Sequence, residues 1–171
     1  MTGWWRKNAV ALGALAVLIP AVVVSVAWNE WSEYDLNRAS RPLAVAPGDS
    51  VEYGGATIGP ATARFRDDPL APQDSRVVSV KLRVEPGDPA LVCLSPILRE
   101  TDGAARQWNA ASYELDRGWD ADRPTSCVAE ATAPYTMDID YLVPLDASGP
   151  FTVELDSVDS WPEFVSAVVE P

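Results

Sequence analysis

The stretch RVVSVKLRVEPGD, residues 76–88, decides the fold expected of this chain. Apolar and polar residues alternate strictly within it from Val78 to Val84. A period of two puts the apolar side chains on one face, which is the pattern of a half-buried β-strand. The following Pro86-Gly87 predicts a turn, with proline at its second position and glycine supplying a positive φ. The stretch therefore predicts a strand that ends in a change of direction.

The same alternation recurs in MDIDYLVP (137–144) and PFTVELD (150–156), and EFVSAVVE (163–170) is predicted as a last strand. Weaker strands are predicted at residues 50–53, 56–58, 62–65, 91–94, 97–100, 107–108 and 127–131. Gly54-Gly55 and Asp102-Gly103, between such runs, are typical of hairpin turns. Many short strands with frequent turn signals predict a mainly β fold, an antiparallel β-sandwich over residues 43–171.

An apolar run at residues 9–28 precedes this region, and no charged residue occurs between Ala9 and Ala27. A helix of this length spans roughly 30 Å, the thickness of the hydrocarbon core of a bilayer. The apolar region of a signal peptide is usually about 7–15 residues long. The run therefore predicts a single transmembrane helix that contacts lipid and is retained as an anchor. Cleavage after Ala27 is the alternative, since Ser25-Val26-Ala27 carries small residues at the required positions.

The flanks of the run predict its orientation, because basic residues precede it and acidic residues follow it from Glu30 to Asp35. The positive-inside rule places residues 1–8 in the cytoplasm and everything after the helix outside, at the cell membrane. Residues 29–42 then form a short juxtamembrane stalk. Indole rings prefer the headgroup region, and four tryptophans bracket the run. The predicted membrane-interface residues are Trp4, Trp5, Arg6, Lys7, Trp28 and Trp31.

The charge of the outer part limits its partners. All 25 acidic residues lie at or beyond Glu30, as do 11 of the 13 basic residues, so that part carries a formal charge of −14. Such a domain repels phosphate backbones, and nucleic-acid binding is not expected. The chain has no histidine, which excludes histidine-based triads and zinc sites. We therefore expect no cofactor and no enzymatic activity.

Cys93 and Cys127 are the only cysteines, and both lie in the part expected outside the cell membrane. An isolated pair in an oxidising compartment predicts a disulfide, here one that would link two strands. Two separate buried thiols are the alternative. Trp108 lies between them, and this Cys, Trp, Cys order gives the predicted sandwich an Ig-like character.

Two groups of carboxylates are candidates for chemistry. Asp138 and Asp140 lie two residues apart on one strand face, where they could serve a glycosidase but are expected to form a solvated face. A second group, the three aspartates of ELDRGWDADRP, offers carboxylates to a hard cation such as calcium. These candidate metal ligands are Asp116, Asp120 and Asp122. A solvated acidic loop is the main expectation for this group, because its spacing matches no known calcium loop.

Two tryptophans of the outer part lie in loop-like stretches and are candidates for partner binding. They are Trp119, in RGWDAD, and Trp161, in DSWPEF. An exposed indole beside acidic residues is typical of an interface anchor. The alternative is that either indole caps one end of the sandwich.

The order of the motifs resembles a known group of proteins. An N-terminal anchor is followed by PGDSVEYGGATI, VVSVKLRVEPGD, LRETDGAARQW and YLVPLDASGPFTVEL. In this order, with a D-G turn at residues 101–103 and V-P-L-D-A at residues 143–147, the chain resembles small membrane-anchored Ig-like envelope domains of unknown function from Gram-positive, actinobacterial-type bacteria. The resemblance covers roughly residues 45–168 and implies a β-sandwich on the cell surface. It implies no catalytic residues.

These observations lead to one functional expectation and one alternative. The chain is expected to be a non-enzymatic, membrane-anchored interaction module or accessory subunit of an envelope complex, with a membrane or envelope protein as partner. The alternative is an envelope domain that binds a cation or small ligand through the acidic loop.

Overall fold

The computed structural model describes residues 3–171, except for the side chains of residues 35 and 36. Residues 1 and 2 of the predicted cytoplasmic segment 1–8 therefore lie outside the described part. The chain divides into two compact units, one ending at Arg38 and the other comprising Ala39–Pro171. The first unit holds one α-helix, α1 (Gly3–Leu36), and Pro20 lies within it. Its length and apolar composition fit both a membrane anchor and a signal sequence.

The second unit is a β-sandwich, which confirms the predicted class of one helix followed by a mainly β domain. Within residues 3–171 its strands are β1 (Arg41–Val45), β2 (Val51–Tyr53), β3 (Ala56–Arg66), β4 (Ser75–Glu85), β5 (Ile97–Glu100), β6 (Gln107–Trp108), β7 (Tyr135–Pro144), β8 (Phe151–Leu155) and β9 (Glu163–Val169). One sheet has the order β1-β9-β8-β5-β6, and the other has the order β2-β3-β4-β7. The pairing is antiparallel except between β1 and β9, which run parallel.

The main core lies between the two sheets and follows from the alternation in the sequence. On β4 the buried inward side chains run from Val78 to Val84, and on β7 they run from Met137 to Val143. The opposite sheet contributes Phe151 and its neighbours on β8. Two buried tyrosines hydrogen-bond neighbouring segments to this core. The hydroxyl of Tyr141 donates to the carbonyl oxygen of Pro96 at 2.9 Å, and that of Tyr53 donates to the carbonyl oxygen of Glu163 at 3.0 Å.

Several strand predictions were wrong in detail. Residues 56–58 and 62–65 belong to one strand, β3, with a register irregularity between Ile58 and Ala61. The first strand begins at Arg41, two residues before the predicted boundary, and its Pro42 is tolerated because β1 is an edge strand. Residues 91–94 and 127–131 form no strand.

The disulfide prediction is confirmed as a pairing but not as a link between strands. Cys93 and Cys127 are joined by an S–S bond of 2.05 Å, with their Cα atoms 5.2 Å apart. Both residues lie in loops, within the two segments that were predicted as strands. Cys127 also donates its backbone N–H to the sulfur of Cys93 at 3.1 Å.

The expected role of Gly87 was also wrong. Its φ is not positive, whereas Gly48, in the similar sequence VAPGD, has a φ of 86°. Gly87 is needed for space, since a Cβ there would lie 2.0 Å from the carbonyl oxygen of Gly55. The turn after β4 therefore packs backbone against backbone on the β2–β3 hairpin turn at Gly54-Gly55.

Candidate functional site

A long connection between β6 and β7 folds over the outer face of the β2-β3-β4-β7 sheet, and residues 109–126 of it are called the covering segment here. Its Ala111 and Leu115 are buried against Val77, an outward-facing residue of β4. Ala71 and Leu142 pack against this small second core from the side. The end of β4 is consequently buried on both faces, and the sheet does not present a bare outer surface there.

The covering segment also occupies the free edge of β7, which is the edge strand of its sheet. Ala111 donates its backbone N–H to the carbonyl oxygen of Asp140 at 2.8 Å, and Asp138 donates its own to the carbonyl oxygen of Pro124 at 3.1 Å. These two hydrogen bonds satisfy groups that an open edge would offer to other strands. They also hold the covering segment close to Asp138 and Asp140.

Four charged side chains join the covering segment to the sheet. The Oδ2 of Asp140 accepts from Arg66 Nη2 at 2.7 Å and from Arg117 Nε at 3.3 Å. The Oδ2 of Asp68 accepts from the same two arginines, at 3.3 Å from Arg66 and closely from Arg117. Two carboxylates thus share two guanidinium groups in one network. Because Arg117 belongs to the covering segment, the network positions that segment as well as balancing charge.

The carboxylate of Asp68 is held in its ionised form. Its Oδ1 accepts the backbone N–H of Leu70 at 3.0 Å. This hydrogen bond, followed by the positive charge of Arg117, lowers the pKa of Asp68 below the ordinary value of 3.8, and partial burial opposes the shift. Folding therefore favours the ionised form of Asp68.

We expect this lowered pKa to make the sandwich lose stability in acid. A carboxylate with a depressed pKa in the folded state stabilises the fold above its unfolded pKa, and this contribution is lost as the pH falls through the folded pKa. Melting temperatures of the purified chain from pH 6 to pH 2 should therefore fall less for Asp68→Asn than for the natural protein. The exposed Asp102 gives a control, since Asp102→Asn should keep the full acid-induced fall. Parallel curves for Asp68→Asn and the natural protein would contradict this assignment.

A cleft of about 990 Å³ lies between the covering segment and β7. Asp138 and Asp140 line it from the strand, and Arg117, Trp119 and Arg123 line it from the covering segment. Arg123 pairs with Asp138 through a single contact, Nη2 to Oδ2 at 3.2 Å. The volume falls in the range of small-molecule sites, about 300–1,000 Å³. The cleft is therefore large enough to receive a side chain or a small ligand.

Two buried oxygen atoms beside this cleft lack a donor. Across residues 3–171, no hydrogen-bond partner reaches Oδ1 of Asp138 or Oδ1 of Asp140. The Asp140 side chain is only 5% exposed, whereas that of Asp138 is 20% exposed. Buried polar atoms are normally paired, so the two oxygen atoms without a donor are unusual. The other oxygen of each carboxylate is paired with arginine, and Arg66 Nε in the same network is likewise buried without a partner in the described part of the chain.

The rim of the cleft carries two aromatic side chains that protrude into water. Trp119 is 91% exposed and Tyr113 is 97% exposed. Trp161, the other tryptophan predicted for partner binding, is half-buried and donates its indole N–H to Asp156 Oδ2 at 3.0 Å. The structure therefore places one of the two predicted tryptophans at the cleft. Tyr113 was not predicted, and no periodicity in its neighbourhood marks it.

The carboxylates predicted for metal binding are not gathered into a metal site. In the described part of the chain, no group of three or more Asp, Glu, His or Cys side chains could hold a metal ion. Asp120 Oδ1 instead accepts the backbone N–H of Asp122 at 2.9 Å, and Asp116 lines the cleft. The prediction that Asp138 and Asp140 form a solvated strand face was wrong, because the covering segment lies over them. The apolar outward residues Val77 and Leu142 were the available signal for this second layer.

The residues predicted at the membrane interface all lie on α1 and are exposed in this structure. They are Trp4, Trp5, Arg6, Lys7, Trp28 and Trp31. Trp5 and Trp28 are 23 residues apart, which corresponds to roughly 35 Å along a helix. This separation matches an apolar bilayer core with an aromatic ring near each boundary.

No protein-family model, curated protein sequence or solved structure matches the chain. Function is therefore inferred from the residues of the cleft and from the helix.

Proposed function

We propose that this chain is a single-pass membrane protein whose β-sandwich lies outside the cell membrane and binds a membrane or envelope protein through the cleft and its aromatic rim. The observation that carries the proposal is the exposure of Trp119, at 91%, beside an equally exposed Tyr113. Tryptophan and tyrosine supply much of the binding energy at protein interfaces because they bury a large area with few rotatable bonds. The role is that of a non-enzymatic accessory subunit or interaction module.

The surroundings of the two aromatic side chains support a prepared binding surface. The covering segment that bears them is tied down by the second core, by the edge hydrogen bonds of β7 and by the Arg117 ion pairs. A surface that is already ordered loses little conformational entropy when a partner binds. Trp119 and Tyr113 are thus displayed by a fixed backbone.

The anchor and its orientation are part of the same proposal. The basic residues before α1 and the acidic residues after it favour an N-terminus in the cytoplasm. The disulfide between Cys93 and Cys127 favours an oxidising compartment for the sandwich. Only residues 37–40 separate the end of α1 from β1, which favours a partner in or near the same membrane. The Ig-like relationship to Gram-positive envelope domains also remains a prediction.

We expect Trp119→Ala to abolish capture of the partner without unfolding the protein. The full chain, tagged at the C-terminus, is purified in mild detergent from carbonate-washed membranes of its source organism after light crosslinking. Proteins recovered in stoichiometric amounts are then identified by mass spectrometry. Truncating a central tryptophan anchor costs about 2 kcal/mol or more, so recovery of the partner should fall at least about 20-fold.

Leu145→Ala is the matched control, because Leu145 is an exposed apolar residue in the turn after β7 and does not line the cleft. This variant should recover the partner as well as the natural chain does. Equal recovery by the Trp119 variant would refute the proposed interface. Release of the natural chain by the carbonate wash would refute the anchor.

A further inference from the structure

We infer that the cleft receives a positively charged lysine or arginine side chain of the partner, between the Trp119 ring and the carboxylates of Asp138 and Asp140. This inference rests on the proposed function and adds the chemistry by which the partner is recognised.

The charge of the cleft lining favours a cation. Four aspartates line the cleft, at positions 116, 120, 138 and 140, against two arginines, at positions 117 and 123. The lining therefore has a formal charge of −2, within an outer part that carries −14. An anionic group would enter against this field, whereas a cationic group is attracted towards it from a distance.

The carboxylate oxygens at the base of the cleft give an observation independent of this count. The Oδ1 atoms of Asp138 and Asp140 are buried without a donor in residues 3–171, and the Asp140 side chain is 95% buried. Burial in a low dielectric strengthens the attraction between such a carboxylate and a nearby positive charge. A cation that displaced Arg123 would contact the carboxylate of Asp138, which is the more exposed of the two.

The side chains around Asp138 leave room for a second cation. Arg123 reaches Asp138 through one nitrogen at 3.2 Å, and its side chain is 44% exposed, so it can move aside at small cost. Arg117 cannot move aside in this way, since it pairs with both Asp68 and Asp140. The Asp138 carboxylate is thus the accessible end of an otherwise fixed network.

An organic cation fits this cleft better than a metal ion. The described residues contain no group of three carboxylates that could hold a metal. An exposed tryptophan attracts an ammonium or guanidinium group to its ring face, and the attraction grows as the pair loses water. A lysine or arginine side chain also has an apolar stem that can pack along Trp119 while its charged end reaches Asp138.

The test is a titration of the full-length ¹⁵N-labelled chain in zwitterionic micelles with Nα-acetyl-lysine methylamide. The indole N–H signal of Trp119, assigned by its loss in Trp119→Phe, is followed at low and high salt. We expect a saturable shift with millimolar affinity, as suits so small a ligand, that weakens as salt is added. The norleucine analogue has the same apolar stem without the charge, and it should produce no saturable shift.

Two variants identify the carboxylates that matter. Asp138→Asn should weaken binding of the lysine probe about tenfold. The double variant Asp116→Asn with Asp120→Asn should weaken this binding several-fold. The double variant is mild, because Asn tolerates the positive φ of 49° at Asp116 and can still cap residue 122. Glu154→Gln is the control, since Glu154 pairs with Arg99 on the other sheet and should leave binding unchanged.

Equal binding of the norleucine analogue, no binding of the lysine probe, or unchanged binding in both aspartate variants would overturn the inference. Its failure can be told from that of the proposed function. If the partner is captured through Trp119 and is captured equally by Asp138→Asn, the interface stands and the cationic contact is wrong.

Discussion

We expect Phe151→Ala to lower the free energy of unfolding of the sandwich by about 3–5 kcal/mol, the usual cost of truncating a buried aromatic residue. Phe151, on β8, is fully buried. Its ring makes edge contacts with Phe65 on β3, at a centroid distance of 6.4 Å, and with Trp108 on β6, at 5.9 Å. The side chain therefore joins the two sheets as well as filling volume between them.

The change should appear as a fall in melting temperature of roughly 10–20 °C for a domain of this size, measured by near-ultraviolet circular dichroism on the full chain. Leu145→Ala removes an exposed side chain and should change the free energy of unfolding by no more than about 0.5 kcal/mol. If the two variants melted alike, the packing of the two sheets around Phe151 would be wrong.

Replacing both cysteines, as Cys93→Ser with Cys127→Ser, should cost about 3–4 kcal/mol on the chain-entropy account of a loop of this length. The structural effect should be greatest at the cleft. The disulfide adjoins the covering segment, whose Thr125 carbonyl oxygen also accepts the Ser95 hydroxyl at 3.0 Å. Without the disulfide, this end of the segment would keep that hydroxyl bond to the loop before β5.

Hydrogen exchange gives the local readout. The backbone amides of Ala111 and Asp138 bond across the free edge of β7, so their protection should fall most in the double variant. The amide of Val153, in the middle of the opposite sheet, should lose only the protection from exchange that the lower global stability removes. Equal loss at all three amides would mean that the disulfide does not hold the covering segment in place.

The period-two alternation in the sequence predicted the strong strands, because each has one face on the core. From Val78 to Val84 on β4 and from Met137 to Val143 on β7, every second residue is apolar and buried. The short edge strand β1 was not predicted, because its five residues, RPLAV, show no alternation and include a proline. Residues 91–94 and 127–131 resembled strands in composition, but they are loops that the disulfide joins.

The candidate site was predicted only in part. The exposure of Trp119 was predictable from the local sequence, since an indole beside glycine and acidic residues is typical of an exposed loop. The network of Arg66, Asp68, Arg117 and Asp140 was not predicted, because residues up to 74 positions apart meet only in the tertiary fold. The burial of Asp140 was not predicted for the same reason, because it depends on the covering segment lying over the sheet in the tertiary fold.

Photocrosslinking from position 119 shows in intact cells whether the cleft face contacts a partner. A photoreactive amino acid replaces Trp119 in the full chain, cells are irradiated with the membrane intact, and adducts are identified by mass spectrometry. We expect an adduct with one membrane or envelope protein from position 119 and none from the control position 145. No adduct from position 119, or the same adducts from both positions, would contradict the claim that the cleft face binds a partner.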